Sequence, residues 1–211
     1  MEAIVRILVD NRVGMVRDPY LARHGLAVVV EVPSEDFTVL FDTGPSADVL
    51  RNNLEAAGLD REFDAVVISH EHWDHTGGLE VVRADRVVEP GGDEVDLLDG
   101  AIVATGTFEG TYDGEVLPER SLVVGDLALI GCCHFELEEL LEGYEPRHVL
   151  GGLHLMDQPR ERLDLLVETL REHGVRRVYA CHCTGIRESA YLANRVGGEP
   201  GYVPLAVRVE L

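Results

Sequence analysis

Residues 65–79 constrain this chain more than any other stretch. Ala65-Val66-Val67-Ile68 is an apolar, mostly β-branched run that gives way to Ser69-His70-Glu71-His72-Trp73-Asp74-His75-Thr76-Gly77-Gly78-Leu79. A run of that kind, bounded by polar residues and glycines, reads as a buried strand opening into a loop. Residues two apart on an extended chain point the same way, so His70 and His72 project to one side. Asp74 and His75 come after the chain turns and can reach the same point from another direction. Three imidazoles and a carboxylate within six residues suit a divalent transition ion such as Zn²⁺, Mn²⁺ or Fe²⁺. The alternative is a polar loop that is histidine-rich by chance, which leaves that concentration of donors unexplained. The stretch is read as a metal site.

The same logic recurs along the chain. Residues 4–9 read as a strand ending at Asp10-Asn11, 12–24 as a loop, and 25–32 with 37–41 as a hairpin stopping at Asp42. Ser46 is placed to cap a helix that buries Leu50, Leu54 and Ala57 and closes at Gly58. A short helix is expected from residue 79 to 84, several short strands within 86–130, and a flexible flap at 105–120, where no periodicity shows. Strand 127–130 ends at Gly131-Cys132-Cys133-His134, strand 149–150 at Gly151-Gly152-Leu153-His154, and strand 178–180 at Cys181-His182-Cys183.

Helical stretches follow each of these ends. One carries Leu137, Leu140 and Leu141; one runs from Pro159, a favoured first helical position, to Gly174, and one continues to about Val196. Leu163, Leu166, Val167 and Leu170 form the stripe of a core-facing helix. Residues 203–209 are expected to close the chain as a strand. The strand ends at residues 70, 134, 154 and 182 thus each deliver a histidine. Two mixed sheets packed face to face with helices outside, an αββα sandwich of the α/β class, would bring those ends to one edge. No linker interrupts residues 1–211, so one domain is expected.

The pattern H-x-H-x-D-H after a hydrophobic strand resembles the signature of the metallo-β-lactamase fold superfamily. That resemblance implies one metal held by His70, His72 and His134 and a second held by Asp74, His75 and His182. Most binuclear members place a bridging aspartate at the fourth motif, where this chain has His154. A neutral imidazole bridges two cations poorly, so His154 is expected to bind one metal terminally or to hydrogen-bond the substrate. By the same resemblance Asp42 orients the loop histidines from behind, while Asn11 and His24 lie at the rim, within reach of substrate. Asp74 is the expected catalytic residue, orienting and deprotonating the attacking group. His148 and His173 fit no motif and are read as surface residues, and Trp73 as a packing residue.

Segments 8–11, 23–26, 40–45, 69–79, 131–134, 151–155 and 182–185 together resemble the dihydropterin–ribofuranosylaminobenzene-phosphate synthase branch of that superfamily, associated with methanopterin-type cofactor biosynthesis in archaea. The resemblance implies a metal-dependent enzyme with one or two divalent transition ions, most simply zinc, with manganese or iron as alternatives. Its substrate would be a small molecule, phosphorylated or pterin-like. A metal-dependent hydrolase of a small phosphorylated or ester substrate is the alternative reading. A metal-retaining binding protein without turnover is a third.

Charge narrows the partners. The chain carries 39 acidic against 18 basic residues, every basic one an arginine, for a net charge of −21. Such a surface repels nucleic acid and anionic membranes outside a locally positive site. It resembles the surface of salt-adapted proteins, and a GC-rich codon bias accounts for it equally well. No run approaches the roughly 20 apolar residues of a membrane span, and the first residues lack signal-peptide features. A cytoplasmic protein is expected. In a reducing compartment Cys132, Cys133, Cys181 and Cys183 would stay unpaired. Their spacing lacks the ligand loop of a zinc knuckle, so they are read as small buried thiols beside the histidines.

Overall fold

The computed structural model of the protein describes residues 1–14 and 19–211. In chain order the elements are β1 (Glu2–Val9), β2 (Ala27–Val32), β3 (Phe37–Phe41), α1 (Ala47–Ala57), β4 (Glu62–Val67), the single-turn α2 (Trp73–Thr76) and β5 (Arg83–Val88). Then come β6 (Val95–Leu98), β7 (Ile102–Ala104), β8 (Phe108–Tyr112), β9 (Glu115–Glu119), β10 (Leu122–Val124) and β11 (Leu127–Ile130). The chain finishes with α3 (Leu137–Tyr144), β12 (His148–Gly151), α4 (Arg160–Glu172), β13 (Arg177–Ala180), α5 (Ile186–Val196) and β14 (Ala206–Glu210).

Among the described residues, one sheet has the order β14-β1-β2-β3-β4-β5 and the other β13-β12-β11-β10-β7-β6. The strands carry apolar residues on both sides because both faces of each sheet are covered. Val5, Ile7, Val28, Val30, Phe41 and Val67 of the first sheet pack against Ile102, Leu122, Leu127, Leu129 and Leu150 of the second. On its outer face the first sheet turns Leu8, Val29, Leu40 and Val66 toward Leu50 and Leu54 of α1. The second turns Ala128, Ile130, Val149 and Val178 toward Leu140 of α3, Leu163, Val167 and Leu170 of α4, and Leu192 of α5. This is the αββα sandwich. Truncating a fully buried leucine such as Leu170 would cost about 2–5 kcal/mol.

Local chemistry sets the helix ends. Ser46 Oγ accepts from Val49 N, and Gly58 closes α1 at φ 70°, a conformation cheap only for glycine. Asn53, fully buried on α1, donates to Leu8 O and Leu21 O and accepts from Leu21 N. It thereby ties the segment leading to His24 against β1.

Four expectations need correcting. Residues 79–84 hold only a 3₁₀ turn, Leu79–Val81, and Ala84 already lies in β5. The polar sequence of β5 hid a strand because β5 is the exposed edge of its sheet. Residues 105–120 are not a featureless flap. They contain the β8–β9 hairpin, a separate two-stranded sheet docked by Thr111 N donating to His134 O. The last strand begins at Ala206, since Pro204 cannot donate to a ladder. Pro159 is the cap residue of α4 rather than its first helical residue.

Strand direction builds the site. β3 and β4 run parallel, as do β11, β12 and β13. β1 reaches the same direction as β3 through two antiparallel steps. Asp10, Asp42, His70, His134, His154 and His182 therefore all follow strands that finish at one edge of the sandwich. Among the described residues no helix is long and apolar enough to cross a membrane.

Candidate metal centre

Two groups of donors meet at that edge. In the first, His70 Nε2 faces His72 Nδ1 at 3.0 Å, and the ring of His134 lies 5.4 and 5.5 Å from the rings of His70 and His72, centre to centre. In the second, Asp74 Oδ2 lies 3.3 Å from His182 Nε2 and 3.7 Å from His75 Nε2, and those two nitrogens are 3.1 Å apart. The rings of His70 and His75, only 4.1 Å apart, join the groups.

Four of the five remaining ring nitrogens are held from outside. His75 Nδ1 meets Asp42 Oδ2 at 2.6 Å, and His134 Nδ1 meets Glu119 Oε1 at 2.5 Å. His182 Nδ1 meets Asn11 Oδ1 at 3.3 Å, and His70 Nδ1 meets Ser69 Oγ at 2.9 Å. A carboxylate or amide oxygen accepts the outer proton and leaves the inner nitrogen with its lone pair, the tautomer a metal requires. The inner nitrogens of His75 and His182, 3.1 Å apart with both outer nitrogens engaged, repel unless a cation lies between them. The donor set therefore fits divalent transition ions: His70, His72 and His134 could hold one, and Asp74, His75 and His182 another.

The backbone is bent to make this arrangement. Asp42, His154 and His182 have φ of 57°, 48° and 49°, in the left-handed region that costs non-glycine residues of order 1–3 kcal/mol each. A Cβ on Gly131 would fall 2.0 Å from Ser69 Oγ, and one on Gly152 would fall 2.3 Å from Gly131 O. Only glycine lets these strand ends approach so closely. Ser69 N and Oγ both donate to Asp42, at 2.7 Å each, which fixes the start of the histidine loop. His182 N donates to Asp10 Oδ1 at 2.7 Å, which fixes the last histidine.

Comparisons with known proteins bear on the fold that carries these residues. Residues 21–99, which include the His70–His75 segment, match the model of the metallo-beta-lactamase superfamily. Tm1679, described as a metal-dependent hydrolase of the beta-lactamase superfamily, superposes with a TM-score of 0.77 at 24% identity, covering 99% of both chains. The chain has the metallo-β-lactamase fold.

A diphosphatase of the PhnP family shares the metallo-β-lactamase fold with this chain at a TM-score of 0.68 and 17% identity, over 100% of this chain and 98% of that one. An uncharacterized protein of Methanocaldococcus jannaschii is 30% identical over 153 residues, 68% of this chain. The chain spans only 54% of that relative's length. The 7,8-dihydropterin-6-methyl-4-(beta-D-ribofuranosyl)-aminobenzene-5′-phosphate synthase of the same organism is 23% identical over 250 aligned positions, covering 80% of this chain and 83% of that protein.

Within the metallo-β-lactamase fold, the residues expected at the rim divide. His24 Nε2 lies 3.2 Å from Asp74 Oδ2 and its ring 4.8 Å from that of His182, so it can add a donor to the second group. Asn11 bonds His182 through both its side-chain atoms and acts on the ring rather than facing the cleft. His154 is exposed at the mouth, with its ring 4.5 Å from that of His134. Trp73, expected to pack, is 63% exposed at the same cleft. His148 and His173 lie half-buried and outside the cleft.

The sequence marked a strand end at Asp10 without assigning it a role and offered no sign of Glu119; both are buried and both act on a histidine. Nor did it offer a sign of Tyr112, whose ring sits 4.8 Å from that of His72. The cleft itself, about 450 Å³, is lined by His24, Trp73, Tyr112, His154, Met156 and Gln158 around the donors.

Electrostatics follow the geometry. Burial, reinforced by His75, His72 and His134, holds His70 well below the ordinary imidazole value, and burial with His134 lowers His72. Burial also opposes charge on His75, but contact with Asp42 outweighs it and raises that group. Burial works against the charge of Asp74. The hydrogen bond from His182 and the neighbouring His75 overcome it and hold Asp74 below the usual carboxylate range. Burial raises Glu119 despite its bond to His134.

Proposed function

We propose that the protein is a binuclear metal-dependent enzyme that hydrolyses a phosphoester or diphosphate bond in a small molecule. The observation that carries this reading is the inward convergence of imidazole nitrogens on Asp74, with every outer nitrogen but that of His72 engaged by an oxygen of the fold. A divalent transition metal held there would supply Lewis acidity, lowering the pKa of a water toward neutrality and neutralising charge on a leaving group.

The chain's own residues do the rest. Asp74, strongly acidic, stores a proton poorly, so its task is to orient the attacking group among His24, His75 and His182. His154 at the mouth is placed to hydrogen-bond the leaving group. Tyr112 and Trp73 offer aromatic walls to a flat substituent such as a heterocycle. A neighbouring cavity of about 300 Å³ shares Met156 and His182 with the cleft and adds Arg12, Arg187 and Ser189. In a chain of net charge −21, arginines beside the cleft give an anionic substrate a locally favourable place.

The likeness to the pterin phosphate synthase favours a second reading, carbon–nitrogen bond formation with loss of diphosphate. That reaction uses the same residues to hold the departing diphosphate. Metal-loaded protein assayed against bis(p-nitrophenyl) phosphate, a nucleoside diphosphate and a thioester tests the proposal. Turnover of either phosphorus substrate that a chelator abolishes is expected. A metal-replete protein inert toward both would overturn the hydrolase reading.

A further inference from the structure

The fold leaves the bridging place between the two donor groups without a carboxylate. His154 does not fill it, since that residue is exposed at the mouth. Cys132 lies within reach of donors of both groups. Its Sγ is within 4.8 Å of a ring nitrogen of His70 and His134, from the first group, and of His75 and His182, from the second. Its distance to His75 Nε2 is 3.6 Å. Cys132 recurs in three clusters of donors compact enough to hold an ion, with His70 and His75, with His134 and His154, and with His182 and Cys183.

We propose that Cys132 supplies a thiolate that bridges the two metal ions in place of the missing carboxylate. The inference rests on the metal-dependent reading above and adds a ligand to it. Binding exchanges the S–H bond for two metal–sulfur bonds and releases the proton to solvent. Cys183, whose Sγ is 3.2 Å from that of Cys132 and accepts from His154 N at 3.3 Å, positions the bridging sulfur from behind. The one compact donor cluster that includes it joins it to Cys132 and His182 of the second group. A buried thiol that only fills space is the alternative, yet a filler has no reason to sit within reach of nitrogens from both groups. A soft thiolate in the bridge selects zinc, iron, cobalt or cadmium over manganese and magnesium.

The test loads the whole protein with two equivalents of cobalt(II) or cadmium(II). Wild-type protein with cobalt should show a near-ultraviolet thiolate-to-metal charge-transfer band, retained in Cys183→Ala and lost in Cys132→Ala. The second ion should bind at least about tenfold more weakly in Cys132→Ala. Cadmium NMR makes the outcome independent of how either variant folds: the β protons of Cys132 should couple to both cadmium ions.

Two bound ions with no charge-transfer band, or Cys132 coupled to one cadmium only, would overturn the bridge and leave the metal-dependent reading intact. A band that disappears in Cys183→Ala and survives in Cys132→Ala would overturn it in favour of the other sulfur. A bridged protein without turnover would uphold the ligand and refute the hydrolase.

Discussion

Replacing Asp42 by asparagine isolates the part of the centre that works from behind. Asp42 is fully buried and makes three short bonds, two from Ser69 and one to His75 Nδ1 at 2.6 Å. Asparagine keeps the size and one acceptor, and Ser69 N can still donate to it. Its amide nitrogen would then face His75 Nδ1 and donate, which forces the imidazole proton onto Nε2. That is the atom directed at His182 and Asp74, so the second group loses one lone pair of its three donors.

Supporting groups of this kind are worth 10- to 100-fold in metal affinity, or about 1.4–2.7 kcal/mol. The larger loss should fall on the second ion, because His75 bonds Asp42 directly while His70 reaches it only through Ser69 Oγ. Competition with a chromophoric chelator should reveal one site near its wild-type affinity and one weakened by that factor. Elemental analysis after dialysis should approach one ion per chain. Two ions held within twofold of wild-type affinity would refute the tautomer argument.

Three further outcomes follow from the site. Asp74→Asn, which removes the carboxylate shared by His24, His75 and His182, should lower kcat by roughly 10²-fold or more, and an unchanged rate at full metal loading would exclude the orienting role. His154→Ala should keep its metal content and raise KM, because the ring stands at the mouth; a fall in metal content would make it a ligand instead. For the metal-free protein, His70 titrates below its ordinary value of 6.5 in the folded state. Its contribution to stability is therefore full above that pH and is lost as pH falls, by about 1.4 kcal/mol per unit. His75, raised by Asp42, contributes with the opposite sign. Thermal unfolding of the metal-free protein between pH 6.5 and 5.5 should be less steeply acid-sensitive in His70→Gln, and an unchanged slope would contradict it.

Most of the architecture was legible because its signals are local. Apolar runs covered on both faces mark buried strands, Ser46 and Gly58 mark the ends of α1, and the stripe through Leu163, Val167 and Leu170 marks α4. The histidines were legible because each stands just past such a run. β5 and the β8–β9 hairpin escaped because one is an exposed edge and the other packs few of its residues into the core. Glu119 was hidden among 39 acidic residues, and nothing in Leu117-Pro118-Glu119 distinguishes it until the fold sets it beside His134. Cys132 was hidden likewise: its sequence neighbours describe a buried thiol, and its place between two histidine groups exists only in three dimensions.

The β8–β9 hairpin carries Tyr112 near one end and Glu119 at the other, its strands joined through five paired positions. Tyr112 lines the cleft, while Glu119 meets Nδ1 of His134, a proposed metal ligand. One short ribbon thus works as a lever between the occupancy of the mouth and the grip on an ion. A lineage that reshapes this hairpin to admit a new substrate must retune its metal affinity in the same step, so substrate range and metal preference would drift together among descendants of this chain.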